Sequence, residues 1–127
     1  MSSPLKVINS EHAPKPIGPY SQGIEGNGFL FLSGQIGIVP ETGELVDGIV
    51  GQTRQVLKNI DEVLRSAGFS LSNVVKSTVF LRSIGDFPQF NEIYAEYFKS
   101  TRPARSTVEV SGLPRNALIE IEVVAHK

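Results

Sequence analysis

An α+β sandwich is predicted for this chain: one mixed sheet of five or six strands with two helices on one of its faces. Three observations predict it. Strand-like stretches and two stretches of helical periodicity follow one another as strands, helix, strand, helix, two strands. Two helices can cover only one face of a sheet, and the strands carry enough apolar residues to need both faces buried. The 127 residues contain no internal repeat and no linker long enough to divide them, so 1–127 is expected to be a single domain with one core.

Pro14, Pro16, Gly18 and Pro19 make an irregular start, followed by a short strand within 20–25 and an apolar, β-prone strand over 29–38. Pro40, Gly43 and Gly48 mark a loop before the first helix. That helix spans about 48–67, with Ile49, Thr53, Val56, Leu57, Ile60, Val63, Leu64 and Ala67 at helical spacing, Asp47 as N-cap and Gly68 as the terminating glycine. A strand over 74–82 alternates in its second half. The second helix starts at Asp86, with Pro88 in its first turn, Gln89 three residues after the cap, and Phe90, Ile93, Tyr94 and Tyr97 on one stripe. Two alternating strands, 102–110 and 118–125, close the chain.

Alternation also assigns the faces. The helix-covered face is expected to carry Val75, Val79, Leu81, Val108, Val110, Ile119, Ile121 and Val123. The other would carry Phe29, Phe31, Thr78, Phe80, Thr107, Glu109, Leu118, Glu120 and Val124, too apolar for water and too polar for a dry core. An oligomer interface resolves this; a long loop over the face is the alternative, although loops bury poorly.

Composition excludes several functions. A net charge of -1 offers no basic surplus for a phosphate backbone. Zero cysteines exclude disulfides, thiolate chemistry and sulfur-ligated metals. His12 and His126 stand near opposite ends without HxH or HExxH spacing, so no metal site is expected, and neither a P-loop nor a GxGxxG opening a helix is present. The first twelve residues show no apolar signal core and no stretch approaches membrane length, which makes the cytoplasm the expected compartment.

What remains is a pattern of polar residues on strands. In extended chain Arg105, Thr107 and Glu109 share a face, as do Glu120 and Glu122. A guanidinium near a carboxylate and a small hydroxyl suits a small carboxylate substrate beside a polarised water, and planar bidentate recognition of that substrate requires arginine. A strand arginine is more often a surface ion-pair partner than a substrate clamp, and Ile-Glu-Ile-Glu equally describes a half-exposed strand. Ser33-Gly34-Gln35 presents a glycine amide to a ligand or forms a bulge. Ile17-Gly18-Pro19-Tyr20 is a turn whose tyrosine either lines a pocket or packs.

Taken together, IGPYSQG at 17–23, LSGQIG at 32–37, VVKSTVFL at 74–81, FNEIYAEYF at 90–98, RPARSTVEV at 102–110 and IEIEVVA at 119–125 resemble the YjgF/RidA family of reactive-intermediate deaminases over essentially the whole chain. The resemblance implies a chorismate-mutase-like homotrimer, with three sheets forming an inner β-barrel, helices outside and ligand clefts between subunits. It implies hydrolysis of 2-imino acids (2-iminopropanoate, 2-iminobutanoate and their enamine tautomers) to 2-oxo acids and ammonia, with no cofactor and no metal. By similarity Arg105 clamps the carboxylate and Glu120 positions the attacking water. Tyr20, Ser33, Gly34, Asn91 and Thr107 would line the pocket. Many relatives carry cysteine where this chain has Thr107, so a thiol plays no part here. The competing expectations are a non-catalytic 2-oxo-acid-binding regulatory trimer and, less favoured by the charge balance, a ribonuclease or translation inhibitor.

Overall fold

The computed structural model describes residues 4–127. Its sheet has six strands in the order β1-β2-β3-β6-β4-β5, antiparallel except for the β4/β5 pair. Strand β1 (Lys6–Ile8) forms an edge that the sequence pattern did not announce, and it pairs with β2 (Gly23–Gly26). Asn27 and Gly28, both at positive φ (52° and 82°), turn β2 into β3 (Phe29–Leu32). An Asn-Gly pair suits a tight hairpin because both residues tolerate the left-handed region whose twist matches the strands.

The strand expected over 29–38 is cut short at Leu32. Ser33 and Gly34 leave the ladder, and the chain rejoins the sheet only through Gln35, whose N–H and C=O both bond to Ile121 of β6 (2.9 and 3.1 Å). Helix α1 (Ile49–Ser66) buries the expected stripe, Val56, Leu57, Ile60, Val63 and Leu64 being fully enclosed. Gly48 occupies its N-cap position at φ 76°, so Asp47 is not the cap. At the other end Gly68 (φ 78°) donates to the Arg65 carbonyl and Phe69 to that of Leu64, the paired bonds of a Schellman stop.

Strand β4 (Val74–Leu81) leads to α2 (Phe87–Tyr97), β5 (Ala104–Glu109) and β6 (Ile119–His126). Asp86 precedes α2 as expected, but a single 3₁₀ turn over Ile84–Asp86 holds it in helical conformation and its side chain caps nothing. Both helices lie on one face, where Leu30, Val79, Leu81, Phe90, Ile119, Ile121 and Val123 form the core.

Two face assignments need correction. A register irregularity between Val74 and Lys76 turns Val74 inward and leaves Val75 46% exposed. In the parallel β4/β5 pair Ser77 faces Arg105, Val79 faces Thr107 and Leu81 faces Glu109. Arg105, Thr107 and Glu109 therefore lie on the helix side, whereas Val108, level with Phe80, turns to the open side with 43% exposure, and Val110 follows in phase. The open face carries Phe29, Phe31, Thr78, Phe80, Val108, Glu120 and Val124.

Candidate functional site

The sequence-selected residues fall into two clusters on opposite faces of the sheet. On the helix side, Arg105 Nη1 donates to Asn91 Oδ1 (2.8 Å). Its Cζ stands 4.8 Å from the ring centre of Tyr94, 5.4 Å from Phe90 and 5.5 Å from Phe87. All four partners come from α2, at spacing that puts Phe87, Phe90, Asn91 and Tyr94 on one helix face. Cation–π contact with several rings fixes the guanidinium plane, and the bond to Asn91 fixes its rotation. Below it, the Tyr94 hydroxyl and Ser77 Oγ are 2.6 Å apart and buried. Burial pushes the Tyr94 phenol up, against the opposing pull of the Ser77 hydrogen bond and the Arg105 charge. A cavity of about 620 Å³ opens here, bounded by Asn91, Tyr94, Phe98, Lys99, Arg102 and Arg105. Thr107 lies further along the same strand; its Oγ1 is buried without a hydrogen-bond partner, an unmet capacity that an incoming ligand or water would fill.

On the other side, Glu120 faces a second cavity of about 610 Å³ together with Tyr20, Ser33 and Gly34. Its carboxyl is raised above the ordinary carboxylate range, first by burial and then by the neighbouring charge of Glu122. Gly34 passes so close that a Cβ there would run into the carboxylate, with Glu120 Cδ only 2.8 Å away. The glycine thus serves a close approach between backbone and acid, and its φ is not positive. Ser33 Oγ is engaged with the Ser21 carbonyl (2.5 Å) and contributes to the fold of the wall. Tyr20 is 52% exposed at the rim, projected by a tight turn in which its N–H bonds to the Gly18 carbonyl (2.8 Å).

Sequence inspection missed the residues that hold this wall. Gln22 is 2% exposed; its Oε1 accepts from Ser10 N (2.6 Å) and its Nε2 donates to the carbonyls of Ser10 and Pro14 (3.1 and 2.9 Å). Asn59 of α1 donates to the carbonyls of Ile36 and Ile38 (3.3 and 2.9 Å), and Gln52 Oε1 accepts from Leu118 N (2.8 Å). A signal did exist: Gln52 and Asn59 fall within the apolar stripe of α1, where a polar side chain must find partners. Among the described residues no group of three His, Cys, Asp or Glu side chains is placed to hold a metal, and no helix is long and apolar enough to cross a membrane.

Within one protomer Arg105 and Glu120 do not meet. The arrangement offers two separate groups: a stacked, oriented guanidinium able to grip an acid, and a half-buried carboxylate able to take and return a proton.

Comparison with known proteins places these features in context. A family model described as Endoribonuclease L-PSP matches residues 10–127. A RutC family protein of Pyrococcus horikoshii is 58% identical over 123 residues, covering 96% of this chain and 98% of that one. The mouse 2-iminobutanoate/2-iminopropanoate deaminase is 46% identical, covering 94% and 90%. The crystal structure of Escherichia coli TdcF with bound serine superposes with a TM-score of 0.94 at 38% identity, over 96% of this chain and 98% of that one.

Proposed function

The chain belongs to the YjgF/Rid family, and from that premise we propose that it hydrolyses reactive 2-imino acids to 2-oxo acids and ammonia in the cytoplasm, as a homotrimer without a cofactor. The observation that carries this reading is the split itself: an acid-gripping cation on one face of the sheet and a raised carboxylate on the other. A ring of three copies, open faces inward, would set Arg105 of one protomer against Glu120 of the next. The deaminase name of the mouse relative and the amino acid bound in the E. coli structure support a small carboxylate as ligand.

The chemistry asks little of the protein. An imine carbon is already electrophilic, so holding the carboxylate and aiming one water supplies most of the acceleration. Arg105 holds the acid. Glu120, ionised, takes a proton from water as the water oxygen bonds to the carbon of the protonated imine, giving a neutral carbinolamine; it returns that proton to the nitrogen, and as the C–N bond breaks the hydroxyl proton passes to the departing ammonia, leaving ammonium and the 2-oxo acid. A carboxyl with a raised pKa performs both transfers better than an ordinary one because its proton affinity lies closer to the working pH. The Gly34 backbone, Tyr20, Asn91 and Thr107 shape the space around the reacting carbon. With 12 basic and 13 acidic residues, the chain does not favour the phosphate contacts that the nuclease in the family model's description would need.

The test couples a serine or threonine dehydratase to this protein, with semicarbazide trapping free imine. Wild type is expected to speed 2-oxo acid release and spare the trap, Glu120→Gln to lower the rate roughly 100-fold or more, the scale of a lost general base, and Arg105→Ala to abolish the effect. Full activity in Arg105→Ala would overturn the reading.

A further inference from the structure

The turn over Pro114–Asn116 is strained in an unusual way. Arg115 and Asn116 are consecutive non-glycine residues in the left-handed region, at φ 60° and 58°. Asparagine accepts that conformation, and here Asn116 Oδ1 also receives a bond from Arg82 Nη1 (3.2 Å). Arginine has no local hydrogen bond to offset the clash of its Cβ, and glycine or asparagine would build the same turn at less cost. Backbone strain of this kind persists only where the surrounding structure holds it in place, and it clusters at ligand-binding sites.

The side chain is delivered to the rim of the Glu120 cavity. Arg115 and Pro114 bound that cavity on one side, Gly43 and Pro40 on another, and Arg115 Nη2 reaches the Gly43 carbonyl through one exposed bond of 3.2 Å. The ion pairs among the described residues are Arg54 with Glu96 and Arg65 with Asp61, so Arg115 has no carboxylate partner. Glu11 and Lys15, also at this cavity, offset each other in charge. The lining also includes Ile36 and Ile38, which would support an aliphatic chain.

We infer that Arg115 is a specificity-determining residue, binding a second acid group at the far end of the ligand's side chain, so that the site favours dicarboxylic 2-imino and 2-oxo acids over monocarboxylic ones of equal length. The inference rests on the deaminase reading of the Glu120 cavity. A neutral side chain would gain only the apolar wall, whereas a terminal carboxylate would also gain charge-assisted, bidentate bonds from a guanidinium now held by one carbonyl. Lysine in its place would keep charge and lose the fork.

The experiment is titration calorimetry of the full chain with two probes of equal length, 2-oxopentanedioate and 2-oxopentanoate, for wild type, Arg115→Asn, Arg115→Lys and Arg105→Ala. Asparagine accepts the left-handed backbone, so Arg115→Asn should fold with a Tm no lower than wild type. Wild type is expected to bind the diacid roughly tenfold more tightly, the scale of one charge-assisted bond. Arg115→Asn should bring that ratio close to one, and Arg115→Lys should leave it in between. A wild-type ratio near one, or a ratio unchanged in Arg115→Asn, overturns the inference while leaving the deaminase reading intact, provided both probes bind and Arg105→Ala abolishes both. If neither probe binds wild type, the reading of the cavity fails first and the inference falls with it.

Discussion

Glu120 carries a cost in stability that pH exposes. Burial and the charge of Glu122 disfavour its ionised form, so the folded protein holds the Glu120 proton more tightly than the unfolded chain does. Stability must then fall as pH rises from the ordinary carboxylate value through the raised one, and the loss is complete above it. Glu120→Gln removes the ionisation. The variant should melt higher than wild type at neutral pH, by roughly 1–3 °C because the group is half-exposed and solvent screens it. The difference should vanish near pH 3, where both unfolded and folded carboxyls are protonated. Calorimetric Tm values across that range check it; a gap independent of pH would place its cause in packing. The same titration should appear in turnover, with activity lost as pH falls through a value above the usual carboxylate range.

At the scale of elements, the segment from Ser33 to Ile38 carries the site because it is clamped from two sides. Gln35 binds it to β6, and Asn59 binds it to α1 through two carbonyls. Gly37 lies so close to α1 that a Cβ would stand 2.9 Å from Gln52 Cα. Asn59→Ala leaves two carbonyls without their donor and is expected to cost about 1–3 kcal/mol, read from the urea midpoint, with catalysis falling further because Gly34 moves with the segment. An unchanged midpoint would mean that water replaces the amide. Both helices were legible in the sequence because their apolar residues keep a 3.6-residue period over whole turns and because Gly68 and Pro88 punctuate them. Strand faces were less so. A single irregularity beside Val75 inverts what alternation predicts there, and the edge strand β5 turns Val108 away from the helices so that Arg105 can reach the α2 rings. The polar residues proposed for the site stood out in the sequence; that Arg105 and Glu120 stand on opposite faces did not, since alternation fixes relative faces within a strand and never between strands.

For the whole molecule, the open face is the decisive surface. Phe29 and Phe31 are 40% and 52% exposed on the same side as Phe80, Val108 and Val124, an apolar expanse that an isolated chain would present to water. The sequence already held this surplus, because two helices cannot cover two faces. Sedimentation is expected to give three chains per particle, and Phe31→Glu to give single chains with native helix content and no turnover. A wild-type single chain with full activity would refute the ring.

In a ring of three, placing the cation and the acid on opposite sides of one sheet would make inheritance of activity collective. Each cleft would borrow its grip from one copy and its proton carrier from the next, so two alleles with different defects, one lacking Arg105 and one lacking Glu120, would rescue each other when co-expressed. A single copy lacking both would spoil two of the three clefts in its ring, and a second copy the third.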